Sequence, residues 1–135
     1  MRALLSSKHS AGAINAALFI LRVGFAILII KHGYQKLSHF ESMQHQFINF
    51  LGLGATVSLV LTIFAEFFCG MLLVLGLFTR FACIPLIVTM CVALVKAHNM
   101  DVFGKGEAAF LFLLGFIAIL LAGPGKASLD SVLNK

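Results

Sequence analysis

Four long apolar runs constrain this chain more than any other feature of its sequence. They cover residues 11–33, 53–78, 81–97 and 107–123, and charged or turn-forming residues separate them. A helix needs about 20 mostly apolar residues to cross the hydrocarbon core of a bilayer, and each run reaches or approaches that length. The runs predict an all-α integral membrane protein: one domain, residues 1–135, forming a four-helix antiparallel bundle with both termini on the same side.

Composition favours lipid as the main solvent. Hydrophobic residues make up 61% of the 135 residues, charged residues make up 11%, and the mean hydropathy is +1.05. Soluble domains have apolar fractions near about 45–50% and charged fractions near about 25%. The net charge of +5 comes from Lys and Arg scattered along the chain without a basic stripe, so we expect the lipid bilayer, and no nucleic acid, as a partner.

The basic residues also bear on orientation. Four spans would divide nine of them into a set on the side of the termini and a set on the opposite side: Arg2, Lys8, Arg80, Lys126 and Lys135 against Lys31, Lys36, Lys96 and Lys105. Cytoplasmic loops of membrane proteins carry an excess of Lys and Arg, so five against four favours cytoplasmic termini. The first run is too long for a secretory signal and is not followed by a small-residue cleavage site, so we interpret it as a retained helix.

The connection after the first run has an apolar periodicity. Phe40, Met43, Phe47 and Phe50 are spaced 3, 4 and 3 apart, which places them on one face of a helix. This pattern predicts an amphipathic segment lying in the membrane interface, and a plain loop is the alternative.

Turn-forming residues mark the later helices. Pro85 is predicted to lie in the first turn of the third helix, where its missing N–H costs little. Gly123-Pro124-Gly125 is predicted to stop the fourth helix. Ser128 could then cap a short helical turn over residues 129–133.

Each run contains one stripe of polar or small residues at helical spacing. The stripes are Asn15, Arg22, Ala26 and Gly33; Ser58, Thr62, Glu66, Cys69 and Gly70; Cys83, Cys91 and His98; and Glu107, Gly115, Ala118 and Ala122. Small and polar residues mark helix–helix contacts in lipid, so the stripes should converge on the bundle axis.

Glu66 lies near the middle of its run, where an acidic group costs about 2.5–3.5 kcal/mol on insertion scales. Residue counting places Arg22 at a similar depth on the preceding helix, so the sequence predicts a buried Arg22–Glu66 pair with Glu66 ionised. Two roles stay open for it: a structural ion pair that fixes helix register, or a proton- or ligand-binding group.

Four secondary candidates gather at the opposite end of the predicted bundle: His32, Lys36, His98 and Glu107. A histidine can act as an acid–base group near neutral pH. Snorkelling to the interface explains Lys31, Lys36 and Lys96 more simply. His32, His39 and His45 lack metal-ligand spacing, so no metal site is expected.

Cys69, Cys83 and Cys91 all fall within apolar runs and are predicted to be dispensable thiols. Cys83 and Cys91 are about 12 Å apart along one helix, too far for a disulfide. Depth counting makes Cys69 with Cys91 the candidate pair if any two cysteines react.

From about Leu21 to Leu133 the chain resembles the DoxX family of small bacterial membrane proteins. The resemblance rests on several short motifs in order: Leu21-Arg22-Val23-Gly24, His32-Gly33, Lys36-Leu37, Glu66 with Gly70, Leu75-Gly76-Leu77, Thr79-Arg80, Gly123-x-Gly125 and Ser128-Leu129-Asp130. It implies a four-helix protein of the bacterial inner membrane.

Relatives in that family include membrane subunits of quinone-linked and redox-stress oxidoreductase complexes. The resemblance therefore implies a subunit that acts with a redox-enzyme partner and binds a quinone, while an enzymatic activity of its own stays uncertain. A non-catalytic anchor or assembly partner, or a small proton-coupled carrier that could form a homo-oligomer, are the alternatives. No C-x-x-C-H motif for haem attachment occurs, so no covalently bound cofactor is expected.

Overall fold

The computed structural model describes residues 2–49 and 52–134, and every regular element within them is a helix. In chain order these are α1 (Arg2–Leu5), α2 (Ala11–Ser38), α3 (Phe40–Met43), α4 (Ala55–Ile63), the π-helix π1 (Phe64–Cys69), α5 (Gly70–Leu75), α6 (Thr79–Val92), the π-helix π2 (Ala93–Ala97), α7 (Glu107–Ala122) and α8 (Leu129–Leu133).

Three continuous helical segments of the described chain are long and apolar enough to cross a membrane. They are Ala11–Ser38, Ala55–Leu75 and Thr79–Lys96, called here the first, second and third spans. The second span consists of α4, π1 and α5, and the third consists of α6 with most of π2. α7 is apolar but shorter, and it ends before Gly123.

The first span is longer than the sequence predicts. It continues beyond Gly33 to Ser38, because no residue between them breaks a helix and Gln, Lys and Leu are good helix formers. Lys36 therefore lies in the last turn of this helix rather than in a loop. This extension decides which charges meet in the interior.

The third span begins at Thr79, earlier than the predicted start at Phe81. Pro85 therefore lies inside α6, so the prediction that it occupies the first turn is wrong. A proline there has no N–H to donate to the carbonyl four residues earlier, and its ring crowds that carbonyl. α6 nevertheless continues as α-helix through Pro85 to Val92.

The predicted interfacial helix forms only in part. α3 ends at Met43 and turns follow it, because Thr56 Oγ1 donates to the Gln44 carbonyl (3.1 Å) and holds the chain against the start of α4. Asn49 Oδ1 accepts the Gly54 N–H (2.8 Å) and fixes the segment at a second point. Phe47 is half-buried, whereas Phe50 lies outside the described residues.

The first two spans pack through their predicted stripes, whereas the prediction for the fourth run is wrong: Glu107, Ala118 and Ala122 are exposed. The buried face of α7 instead carries larger side chains that fill the space between the helices: Ala109, Phe112, Phe116 and Ile119.

α2 contacts the second span and α7, and α6 contacts α7. Small residues allow the close approach: a methyl group placed on Gly33 would lie 2.7 Å from the Phe67 amide nitrogen and 3.0 Å from Glu66 Cβ. The buried cluster contains Ala26, Cys69, Leu86 and Phe116, while many large apolar side chains of the spans stay exposed, as expected for surfaces in lipid.

Two glycines of α2 test this packing. We expect Gly33→Ala to lower the unfolding free energy by about 1–3 kcal/mol, because the added methyl group meets the backbone of π1, which cannot turn away. Gly24→Ala is the matched control: nothing lies within 4 Å of its added methyl group. The control should gain up to about 1 kcal/mol from helix propensity. Thermal unfolding of the two variants in detergent, with equal losses in both, would contradict the close contact.

Candidate functional site

Arg22 is buried, with 2% of its surface exposed, and it binds backbone carbonyl groups. Its Nε donates to the Leu73 carbonyl (2.8 Å), Nη1 to the Pro124 carbonyl (2.6 Å) and Nη2 to the Ala127 carbonyl (2.8 Å). Its guanidinium also lies 5.4 Å from the centre of the Phe19 ring. Arg22 thus ties the first span to the end of the second span and to the segment after α7.

Asp130 completes the same end of the molecule. Its carboxylate accepts the N–H groups of Phe78 (2.8 Å) and Thr79 (2.9 Å) and so caps the start of α6. Its own N–H donates to the Gly76 carbonyl (2.9 Å). Partial burial by itself would raise the pKa of Asp130, but these N–H donors and the nearby Arg22 charge together hold the pKa below its ordinary value.

Glu66 is buried, with 3% of its surface exposed, and its partner is Lys36. Lys36 Nζ lies 2.6 Å from Glu66 Oε1, a short charge-assisted hydrogen bond. The side chain of Lys36 is 21% exposed, so this ammonium group reaches the edge of the interior.

The predicted ion pair between Arg22 and Glu66 is therefore wrong, although both residues are buried as expected. The reason is helix register. Glu66 packs beside Gly33, whereas Arg22 binds the carbonyl of Leu73. Glu66 and Leu73 are seven residues apart on the second span, which corresponds to about 10 Å along the axis.

The Glu66–Lys36 pair lies at the edge of a cavity of about 430 Å³ between the second and third spans. Its polar lining is small: Lys36, Ser58, Thr62, Glu66, Thr89 and His98. The remaining lining is apolar and includes Phe47 and Ile48 from the connection after α3. A mainly apolar cavity with a few convergent polar groups is the usual form of a small-molecule site.

Both walls of this cavity contain a π-helix. Glu66 belongs to π1, and Ala93 of π2 lines the opposite wall. A π-helix widens the helical turn and frequently occurs at functional sites. Pro85, inside α6, also lines the cavity. The geometry of the cavity thus comes from two departures from regular α-helix.

The four secondary candidates do not lie together in the structure. Lys36 and His98 line the cavity. The ring of His32 packs edge-on against Phe112, with centroids 5.7 Å apart. Glu107 is exposed in the first turn of α7 and does not line the cavity. Within the described residues no group of three His, Cys, Asp or Glu side chains could hold a metal ion.

The cysteine geometry also differs from the predicted one. Cys69 and Cys83 belong to one buried cluster, whereas Cys91 is exposed. Depth alone suggested Cys69 with Cys91, but eight residues of α-helix rotate a side chain by about 80° beyond two full turns. Cys91 is therefore turned away from the face that Cys83 presents to the core.

Sequence reasoning missed several parts of the site. Thr89 is not predicted, because the polar stripe of the third run passes through its cysteines and His98 instead. The sequence pattern predicts Phe47 on an interfacial face and says nothing of Ile48, and no periodicity indicates that the two line a cavity. The capping role of Asp130 has no local signal either, since its partners lie about 50 residues away in the chain.

The chain is similar to a known family of membrane proteins and to one individual membrane protein. The model of the DoxX family matches residues 17–99, which is more than half of the sequence. The chain belongs to the DoxX family. It is also similar to the uncharacterized membrane protein Rv3486 of Mycobacterium tuberculosis, with 30% identity over 142 aligned positions, covering 94% of this chain and 86% of the relative. No solved structure matches it significantly.

The DoxX motifs read from the sequence fall into two places in the fold. Arg22, Gly76 and Asp130 lie together at one end, where Gly76 has a φ of +69° and Ser128 packs directly against it. Lys36 and Glu66 lie at the cavity. One group of motif residues holds the helices to the C-terminal segment, and the other lines the cavity.

The Asp130 cap predicts a pH dependence. A carboxylate whose folded pKa lies below its unfolded value adds stability above the unfolded pKa and loses it as the pH falls through the folded pKa. The melting temperature of the wild type should therefore exceed that of Asp130→Asn at neutral pH, and the difference should shrink below about pH 4. Thermal unfolding of both proteins from neutral to acidic pH measures this. A difference that stays constant at all pH values would contradict an ionised cap.

Proposed function

We propose that this DoxX-family protein is the membrane subunit of an oxidoreductase complex and binds a quinone in the cavity beside Lys36 and Glu66. One observation carries the proposal: an ion pair between the buried Glu66 and the half-buried Lys36 borders an apolar cavity between two candidate spans. Intramembrane ionisable residues mark substrate or proton pathways more often than they serve packing alone.

The cavity fits the chemistry of a quinone. A quinone is a flat apolar ring with two carbonyl oxygens that accept hydrogen bonds, and its head group is small enough for a site of about 430 Å³. An ammonium group has three N–H donors, and among the described residues Glu66 takes one of those of Lys36. Lys36 and His98 therefore supply donors at the polar side of an otherwise apolar lining.

A bound quinone would accept two electrons and two protons and leave as the quinol. In this proposal the electrons come from the redox centre of a partner subunit. The residues of this chain bind the carbonyl oxygens and supply the two protons: Lys36 donates one from its ammonium group, which Glu66 holds in place, and His98 at the same cavity donates the other. Both groups regain their protons from water after the quinol leaves.

The proposal includes a topology. The three candidate spans and α7 would cross the bacterial inner membrane as an antiparallel four-helix domain, with both termini in the cytoplasm. α7 has 16 residues, about 24 Å of helix, which is shorter than a hydrocarbon core of about 30 Å. Local thinning of the bilayer accommodates a short helix at modest cost.

Quinone binding to the purified protein in nanodiscs tests the assignment. Lys36→Met and Glu66→Gln should each weaken binding about tenfold or more, because a hydrogen bond to a charged group contributes about 1.5–3 kcal/mol. Glu107→Gln is the matched control, since Glu107 is exposed and lies outside the cavity lining, and it should bind like the wild type.

The outcomes separate the candidate functions. Equal binding by all four proteins would reject a site at the ion pair. Absence of quinone binding to the wild type would reject the proposal and favour the anchor or carrier alternatives. Uptake of protons coupled to a solute in vesicles containing only this protein would identify the carrier. Quinone reduction by the complex purified with its redox partner, lost in Lys36→Met, would support the subunit.

A further inference from the structure

The cavity beside Glu66 has two different sides. Phe47 and Ile48, from the connection between the first two spans, cover one side of it. The other side contains four large apolar residues that line the cavity and are also about half exposed: Leu61 and Phe64 on the second span, and Ile84 and Val88 on the third.

The exposed surface of these four residues lies within candidate membrane spans. Because the spans cross the bilayer, this surface faces lipid rather than water. A side chain that both lines the cavity and faces lipid stands at an opening between the two. The cavity is thus continuous with the bilayer through the gap between the second and third spans.

The covering side is held closed. The Thr56 hydroxyl binds the Gln44 carbonyl, and the Gly54 N–H binds the side chain of Asn49, so the segment that carries Phe47 and Ile48 is fixed before and after them. Both covering residues are half-buried. A ligand that reached the ion pair from this side would have to displace this fixed segment.

We infer that the ligand enters sideways from the bilayer and that its apolar tail stays in the gap between Leu61 and Phe64 on one side and Ile84 and Val88 on the other. This inference rests on the proposed quinone site and specifies its substrate class: a quinone with a long apolar tail, whose head group reaches Lys36 while its tail remains in lipid. Phe64 stacks on Phe68 with ring centres 5.3 Å apart, which fixes one edge of the gap.

The dimensions agree with this arrangement. Ser58 and Glu66 both line the cavity and are eight residues apart, about 12 Å along the helix axis. The cavity therefore runs along the spans for two helical turns. That length and the apolar lining suit a ring with the first part of its tail, and the remainder of a long tail needs the opening to lipid.

Two valines provide a matched test. Val88 stands at the gap, whereas Val60 is exposed to the same degree on the second span but does not line the cavity. Binding of a quinone with a long isoprenoid tail and of the same quinone without its tail should be measured with each variant. Val88→Phe should weaken binding of the long-tailed quinone about tenfold, since filling the gap forces the tail to rearrange, and should leave the tailless quinone unaffected. Val60→Phe should change neither.

A second measurement keeps the wild-type protein intact. A quinone carrying a photoreactive diazirine on its tail should label peptides containing Leu61 to Phe64 or Ile84 to Val88. Labelling of the Phe47–Ile48 segment instead would overturn the lateral route. So would equal effects of Val88→Phe on both quinones, or no effect on either.

The two measurements distinguish a wrong entry route from a wrong binding site. If the tailless quinone binds and Lys36→Met weakens it while Val88→Phe has no effect on the long-tailed quinone, the site stands and the route is wrong. If neither quinone binds the wild type, the proposed function fails and the inference is rejected with it.

Discussion

A carboxylate between hydrophobic spans must have a partner, because the bilayer interior offers no water to solvate it. In this protein Lys36 meets that requirement for Glu66, and much of the fold follows from how the two are brought together. The first helix must continue past Gly33 to carry Lys36 to the right depth, and Gly33 must lack a side chain so that π1 can pack directly against it. The Lys36–Glu66 ion pair, the length of the first helix and the position of Gly33 therefore depend on one another.

Arg22 satisfies the same requirement differently. Its three hydrogen bonds go to backbone carbonyl groups, one in the last turn of α5 and two in the segment after α7. The Asp130 carboxylate lies close enough to Arg22 for their opposite charges to attract, and it also caps α6. Arg22 therefore has a structural role, because its hydrogen-bond donors bind backbone carbonyls. In the proposed site, the charged groups that can bind a ligand are Lys36 and Glu66.

The sequence predicts the elements well and the charge pairing poorly, for physical reasons. Long apolar runs and Gly123-Pro124-Gly125 locate the helices, and Ser128 caps α8 as its position before Leu129 indicates. Depth counting failed for Arg22 and Glu66 because it does not give the register in which two helices pack. Lys36 could not be predicted as the partner because the unbroken Tyr34-Gln35-Lys36 stretch gives no signal of where the helix stops. The cavity was beyond prediction, since it depends on two π-helices and on a connection folded back by Thr56 and Asn49.

A double-mutant cycle tests the central claim, that Glu66 is coupled to Lys36 and not to Arg22. Unfolding free energies in micelles would be measured for Lys36→Met, Arg22→Lys and Glu66→Gln, singly and in the two pairs that contain Glu66→Gln. Residues in direct contact show interaction energies of about 0.5–3 kcal/mol, whereas distant pairs add within about 0.3–0.5 kcal/mol. We predict about 1 kcal/mol or more for Lys36 with Glu66 and additivity for Arg22 with Glu66. A large coupling between Arg22 and Glu66, with additivity for Lys36, would contradict the account.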